Sequence, residues 1–192
     1  MKRIIHLLSI SMILTSNTFG QKPDSVFIPT NDKGLGEYTE VIIVDSTSKD
    51  NLYINALEWV NKTYKSGKSV IQTTDKEGGM IIGKANTQNL VYNNMGIKND
   101  GGYFSYNISI YCKNNRYKYV FDNITYNKGE MVLSPGADLA ETFPYNWTGL
   151  IGKNKQTRRE WKSFQRQADT EFKLIIGDLK VSMQSARGKN NW

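Results

Sequence analysis

A chain of 192 residues with 25 Lys and Arg, 18 Asp and Glu, one His and one Cys is long enough for one domain with a sizeable core. The lone histidine, His6, falls in an N-terminal stretch expected to be removed, so the mature chain would hold no imidazole and one thiol. That composition excludes Ser-His-Asp and Cys-His nucleophile systems, ordinary His/Cys zinc sites and an internal disulfide.

In chain order, the basic start Met1-Lys2-Arg3, the apolar run from Ile4 to Leu14 and the small-residue pattern ending Thr18-Phe19-Gly20 predict a secretory signal peptide over residues 1–20. Cleavage near Gly20/Gln21 would leave 172 residues in an extracytoplasmic location, periplasmic or secreted. No later stretch approaches the about 20 apolar residues of a transmembrane helix, so no transmembrane segment is expected. The remaining charge is uneven: residues 151–192 carry ten basic and four acidic side chains, whereas residues 21–150 sum to −1.

A first strand is predicted over Tyr38–Val44. Leu52, Tyr53, Ala56, Leu57, Val60 and Tyr64 then recur every three or four residues, predicting a helix from Asp50 to Lys65. Thr47 or Ser48 would cap its start and Gly67 would supply a left-handed stop. Alternating runs predict strands over 69–74, 80–92, 103–112 and 117–126, separated by turn-forming clusters such as Asp75-Lys76-Glu77-Gly78-Gly79 and Asn99-Asp100-Gly101-Gly102. These four should pair as an antiparallel meander. A long loop, 134–156, carries Phe143, Tyr145 and Trp147 at alternating positions. After it, Trp161, Phe164, Ala168, Phe172, Ile175, Ile176, Leu179 and Met183 predict a second helix from Arg158 to about Ser185, opened by a Thr157-x-x-Glu160 capping box.

The order strand, helix, four strands, helix gives an α+β domain over residues 21–185, with 186–192 expected to be a disordered tail. Neither apolar helix stripe can be left in water, so both helices should cover one face of the antiparallel sheet. Phe104, Tyr106, Ile108, Ile110 and Cys112 would face them; Tyr103, Ser105, Asn107, Ser109 and Tyr111 would form the opposite, polar and aromatic face.

The run Phe27-Ile28-Pro29-Thr30-Asn31-Asp32-Lys33-Gly34, with Leu52-Tyr53, Trp59-Val60, Ile71-Gln72, Asp75-Lys76-Glu77, Gly79 and Ile81-Ile82-Gly83-Lys84, resembles the domain of unknown function that has a TATA-box-binding-protein-like (TBP-like) fold and occurs in exported Gram-negative bacterial proteins. The resemblance covers about residues 26–125 and implies a β-α-β4-α order. It brings no established activity and no catalytic residues.

Gly78 to Lys84, GGMIIGK, has the glycine and lysine spacing of a phosphate-binding loop. Ala85 stands where that loop needs a hydroxyl, and Met80-Ile81-Ile82 reads as a strand, so the segment is expected to be a hairpin with Gly79 in a positive-φ turn and no nucleotide. Gly83 and Ala85 would share a face on which a helix could approach closely. Binding of nucleic acid by the sheet is disfavoured by export and by the charge near neutrality of residues 21–150. Lys153, Lys155, Arg158, Arg159, Lys162 and Arg166 cluster instead at the start of the last helix, where a solvated face is the expectation, with anionic lipid or polysaccharide as the alternative.

The leading expectation is therefore a non-catalytic envelope or secreted binding module without cofactor or metal, its partner an envelope protein or a glycan. Its surface would be Tyr103 and Tyr111 on the open sheet face, or Phe143, Tyr145 and Trp147 in the long loop, unless those three rings plug the core instead. The alternative is a carboxylate enzyme acting on glycans, for which Asp138 and Glu141 are available.

Overall fold

The computed structural model describes residues 28–64, 67–127, 140–142 and 155–184, with the backbone alone at 68, 94, 140–142 and 155–161. The expected signal peptide, the C-terminal tail and nearly all of the 134–156 loop lie outside these residues.

Strand β1 (Tyr38–Ile43) leads into helix α1 (Lys49–Thr63). Ser48 is the cap: its hydroxyl accepts the Asn51 amide at 3.2 Å, and its backbone is extended rather than helical. A second free amide, that of Lys49, donates to Asn114 Oδ1 at 2.9 Å, so a hairpin remote in sequence helps to close the same helix end. The buried stripe contains Leu52, Tyr53, Ala56 and Val60 as expected, and also Trp59, whose Nε1 donates to Asp178 at 2.9 Å. Gly67 is not the left-handed stop. The helix ends at Thr63 with an extended Tyr64, and Gly67 opens a four-residue helix, α2 (Gly67–Val70), where any Cβ would collide with Asn61.

Strands β2 (Ile71–Asp75) and β3 (Met80–Asn86) form the expected hairpin. Asp75 Oδ1 accepts the Gly78 amide at 2.8 Å, and Gly79 turns at φ +68. Met80–Gly83 pairs with β2 on one side and with strand β6 (Tyr103–Lys113) on the other, which commits its backbone to the sheet rather than to a phosphate cradle. A Cβ on Gly83 would lie 2.9 Å from the carbonyl oxygen of Val70, so glycine here lets α2 approach the sheet as the sequence suggests. Gly79 is more constrained: its carbonyl accepts the Cys112 amide at 2.7 Å, and a Cβ would stand 2.5 Å from the Cys112 carbonyl oxygen. Gly79→Val should therefore lower unfolding free energy by about 2–3 kcal/mol in urea titrations, through strain at positive φ and displacement of β6. A change below about 0.5 kcal/mol would show that the turn is not constrained in this way.

The predicted strand 80–92 is interrupted. It ends at Asn86, and a second hairpin follows, β4 (Val91–Asn94) and β5 (Ile97–Asp100), turning at Met95 and Gly96 with φ of 51 and 82. The segment Asn99-Asp100 thus belongs to a strand rather than a turn. Strand β7 (Arg116–Asn127) follows β6 across a two-residue turn, and β8 (Ala140–Thr142) pairs with its far end. The last helix, α3 (Lys155–Gln184), starts two residues before Thr157. Thr157 therefore falls within its first turn instead of capping it.

The strand order is β1-β7-β6-β3-β2, all antiparallel, so the predicted meander β2-β3-β6-β7 is present with β1 added beside β7. Helices α1 and α3 lie on one face. Phe104, Tyr106, Ile108, Ile110 and Cys112 are buried beneath them in one continuous core. Phe172 of α3 sits at its centre, with ring centroids 4.9 Å from both Tyr38 and Tyr106. Burial pushes the Cys112 thiol up to about 12, which keeps it protonated and unreactive.

Candidate functional sites on the open sheet face and beneath the last helix

The face of the sheet away from the helices follows from register. Val41, Lys118 and Tyr111 stand in one row across β1, β7 and β6, and Ile43, Arg116 and Lys113 in the next. Val41 and Ile43 are 58% and 71% exposed, although β-branched apolar side chains are ordinarily buried. Val41, Tyr111, Lys118, Arg116 and Lys113 of these rows, with Val120 and Ser109, line a concavity of about 590 Å³. Val41, Val120 and Tyr111 supply its apolar part beside Ser109, three basic groups lie at the β6–β7 turn end, and Asp122 lies at the other.

Asp122 also lines a smaller depression of about 390 Å³ with Glu37, Asn31 and Asn107. Burial raises the Asp122 carboxyl above the usual range, a bond with Asn107 opposes this, and the charge of Glu37 adds to the rise. Glu171 is also raised by burial, but its oxygens accept the Gln88 amide at 2.9 and 3.1 Å, which gives it a structural task in holding α3 to the end of β3.

A third site lies on the helix side. A cleft of about 520 Å³ separates α3 from the β1–β7 edge, with Pro29, Ile176 and Gly177 among its lining. Two similar triads flank it. In one, Asp169 accepts the Tyr38 hydroxyl at 2.8 Å and pairs with Lys173 at 2.7 Å. In the other, Glu40 Oε2 accepts the Tyr119 hydroxyl at 2.8 Å and pairs with Lys180 at 2.7 Å. The bond from Lys180, and then that from Tyr119, hold Glu40 below the usual carboxylate range.

The Tyr117 hydroxyl is buried and has no hydrogen-bond partner among the described residues. A buried hydroxyl in that state costs about 1–3 kcal/mol. Tyr117→Phe should consequently leave stability unchanged or raise it by about 1 kcal/mol, which thermal melting would check; a clear loss would show that the hydroxyl is satisfied in solution.

Of the residues expected to form an interaction surface, Tyr103 and Tyr111 do lie on the open face. They are eight positions apart on β6, about 27 Å along the strand, and do not form one patch. Phe143, Tyr145 and Trp147 lie outside the described residues, as do the side chains of Asp138 and Glu141. Lys162 and Arg166 are exposed on α3, and both have interaction partners. The sequence reading missed Val41, Ile43 and the Lys113-Arg116-Lys118 cluster. Alternation in Tyr38–Val44 would have assigned Thr39, Val41 and Ile43 to one face, but nothing local says which face is covered. No group of three or more His, Cys, Asp or Glu residues suited to a metal ion occurs among the described residues, and no described helix is long and apolar enough to cross a membrane.

Residues 38–127 match the family model described as a domain of unknown function (DUF4468) with TBP-like fold. Two solved structures are similar over most of their lengths. One is a DUF4468 family protein from Bacteroides ovatus, at TM-score 0.60 and 15% identity, covering 85% of this chain and 94% of that one. The other is a TBP-like protein from Parabacteroides distasonis, at TM-score 0.59 and 19% identity, covering 84% and 99%. No curated protein gives a significant match. The resemblance read from the sequence and the α+β, TBP-like fold are both borne out.

Proposed function

Starting from residues 38–127 as a DUF4468 domain with TBP-like fold, we propose that the chain is an exported, non-catalytic binding module that engages a protein partner of the bacterial envelope through its open sheet face. The observation that carries this reading is the concavity in which exposed Val41 and Tyr111 flank Lys118, beside Arg116 and Lys113. Apolar contact area with a basic margin suits a partner strip that alternates apolar and acidic side chains. Export is supported by the N-terminal pattern of Met1 to Gly20.

The test is capture of partners from the organism's envelope fraction by the chain lacking residues 1–20. Val41→Asp and the double variant Lys113→Glu, Lys118→Glu are compared with wild type. All three positions are exposed, so melting temperature should hold while capture falls by about tenfold or more. Capture unaffected by either variant would reject this face. Binding of duplex DNA that falls steeply with salt would replace the reading with nucleic-acid recognition.

A second reading, a carboxylate enzyme on glycans, is favoured by one feature: the raised Asp122 carboxyl beside Glu37 in an amide-lined depression. Hydrolysis of an envelope glycan that is abolished by Asp122→Asn would establish it.

A further inference from the structure

The cleft beneath α3 lies on the opposite side of the sheet from the proposed docking face and has a different character. Its charges cancel in place: Lys173 is paired with Asp169 and Lys180 with Glu40, each at 2.7 Å. An ionic ligand would have to break one of these pairs. The polar capacity is nevertheless not exhausted. Both bonds to Glu40 fall on Oε2, leaving Oε1 without a partner among the described residues, and each ammonium has three donors. Lys173 and Lys180 lie two turns apart on α3, about 10 Å, with Gly177 between them on the same side.

Gly177 is the feature that the fold does not explain. A glycine inside a helix costs roughly 0.5–1 kcal/mol relative to alanine. Its φ is not positive, and a Cβ built there would meet nothing within 4 Å. Packing therefore does not require glycine. What its small size does is leave open space in a cleft whose apolar lining also includes Ile176 and Pro29.

We propose that this cleft binds a neutral pyranose unit, one face of the sugar ring lying on Gly177, Ile176 and Pro29 while its hydroxyls bond to the two tyrosine-carboxylate-lysine triads. Hydroxyl groups both donate and accept, which matches the Asp169 carboxylate at one side and the ammonium protons of Lys173 and Lys180 at both. The C–H face of the ring matches the apolar lining. A wholly apolar ligand would cover the ammonium protons and carboxylate lone pairs that the two ion pairs leave over, and an anion would face two carboxylates. The volume, about 520 Å³, lies in the range of small-molecule sites.

The experiment is titration of the isotopically labelled chain with methyl β-glucopyranoside, methyl β-galactopyranoside and methyl N-acetyl-β-glucosaminide, followed by amide chemical shifts, with sodium acetate as the anionic comparison. At least one sugar should give saturable shifts centred on Gly177, with neighbouring shifts at Lys173 and Lys180. Gly177→Leu fills that space with a good helix former, so it should weaken that binding by about tenfold or more while leaving the melting temperature equal or higher. Gly177→Ala should bind with intermediate affinity. The proposal is overturned if no sugar gives saturable shifts there, if Gly177→Leu binds as well as wild type, or if acetate shifts the same amides more strongly than every sugar.

Discussion

Phe172→Ala is expected to lower unfolding free energy by about 4 kcal/mol, enough to unfold a large fraction of a marginally stable domain. The ring is fully buried and joins α3 to three strands at once, through Tyr38 on β1, Tyr106 on β6 and Phe121 on β7, with centroids 4.9, 4.9 and 6.2 Å away. Its removal leaves a cavity ringed by aromatic groups that are themselves fixed. Tyr38 is held by Asp169, and the Tyr106 hydroxyl lies 3.0 Å from that of Tyr64. Such a site collapses poorly, which puts the cost toward the upper part of the usual range. Chemical denaturation monitored by circular dichroism and tyrosine fluorescence would measure it. A loss below about 1 kcal/mol would mean that α3 does not form the centre of the core.

Alkaline solution should destabilise the fold steeply, with the loss beginning as pH rises through about 10. Burial raises Tyr38, Tyr106 and Tyr117 well above the ordinary tyrosine value, and raises Tyr64 to about 12. For Tyr38 the bond donated to Asp169 adds to the rise; for Tyr64 the bond with Tyr106 opposes it. Below pH 10 these hydroxyls are protonated in both folded and unfolded chains, so the full stability is present. Above it the unfolded chain releases protons that the folded chain retains, and stability falls by roughly 1 kcal/mol per pH unit for each buried tyrosine. Two of them, Tyr38 and Tyr106, are thus expected to remove several kcal/mol between pH 10 and 12. Melting temperature against pH is the measurement. Tyr38→Phe and Tyr106→Phe should each flatten the alkaline limb, and a profile that stays level to pH 12 would contradict the burial of these groups.

The parts of the fold that were legible in sequence share one property: their signal is periodic and local. The stripe from Leu52 to Val60 located α1, and alternation from Phe104 to Cys112 assigned the covered face of β6, because burial on one side repeats with the period of the element. Gly79 was legible because a tight turn at positive φ selects glycine. The β4–β5 hairpin was not, since its turn places Met95 at φ 51 ahead of Gly96 rather than the Asn or Asp usual there. That hairpin is held from outside itself: the Gln167 side chain on α3 accepts the Val91 amide at 3.0 Å and donates to the Val91 carbonyl at 2.8 Å. The end of α1 was misread for a related reason, because Gly67 answers to the close approach of Asn61 and not to backbone handedness.

Sequence alone determined the class of the protein: the positions of the principal strands and helices, the family resemblance, and the hairpin at Gly78-Gly79. Tertiary structure decided everything that depends on which distant elements become neighbours. Only the pairing of β1 with β7 places Val41 and Ile43 beside Lys118 and Arg116, and only the packing of α3 brings Asp169 and Lys180 to Tyr38 and Glu40, partners 131 and 140 positions apart. The physical reason is that periodicity reports whether a side chain is covered, whereas a binding site is defined by what covers it, and that is fixed only when the sheet has closed its register and the helices have docked.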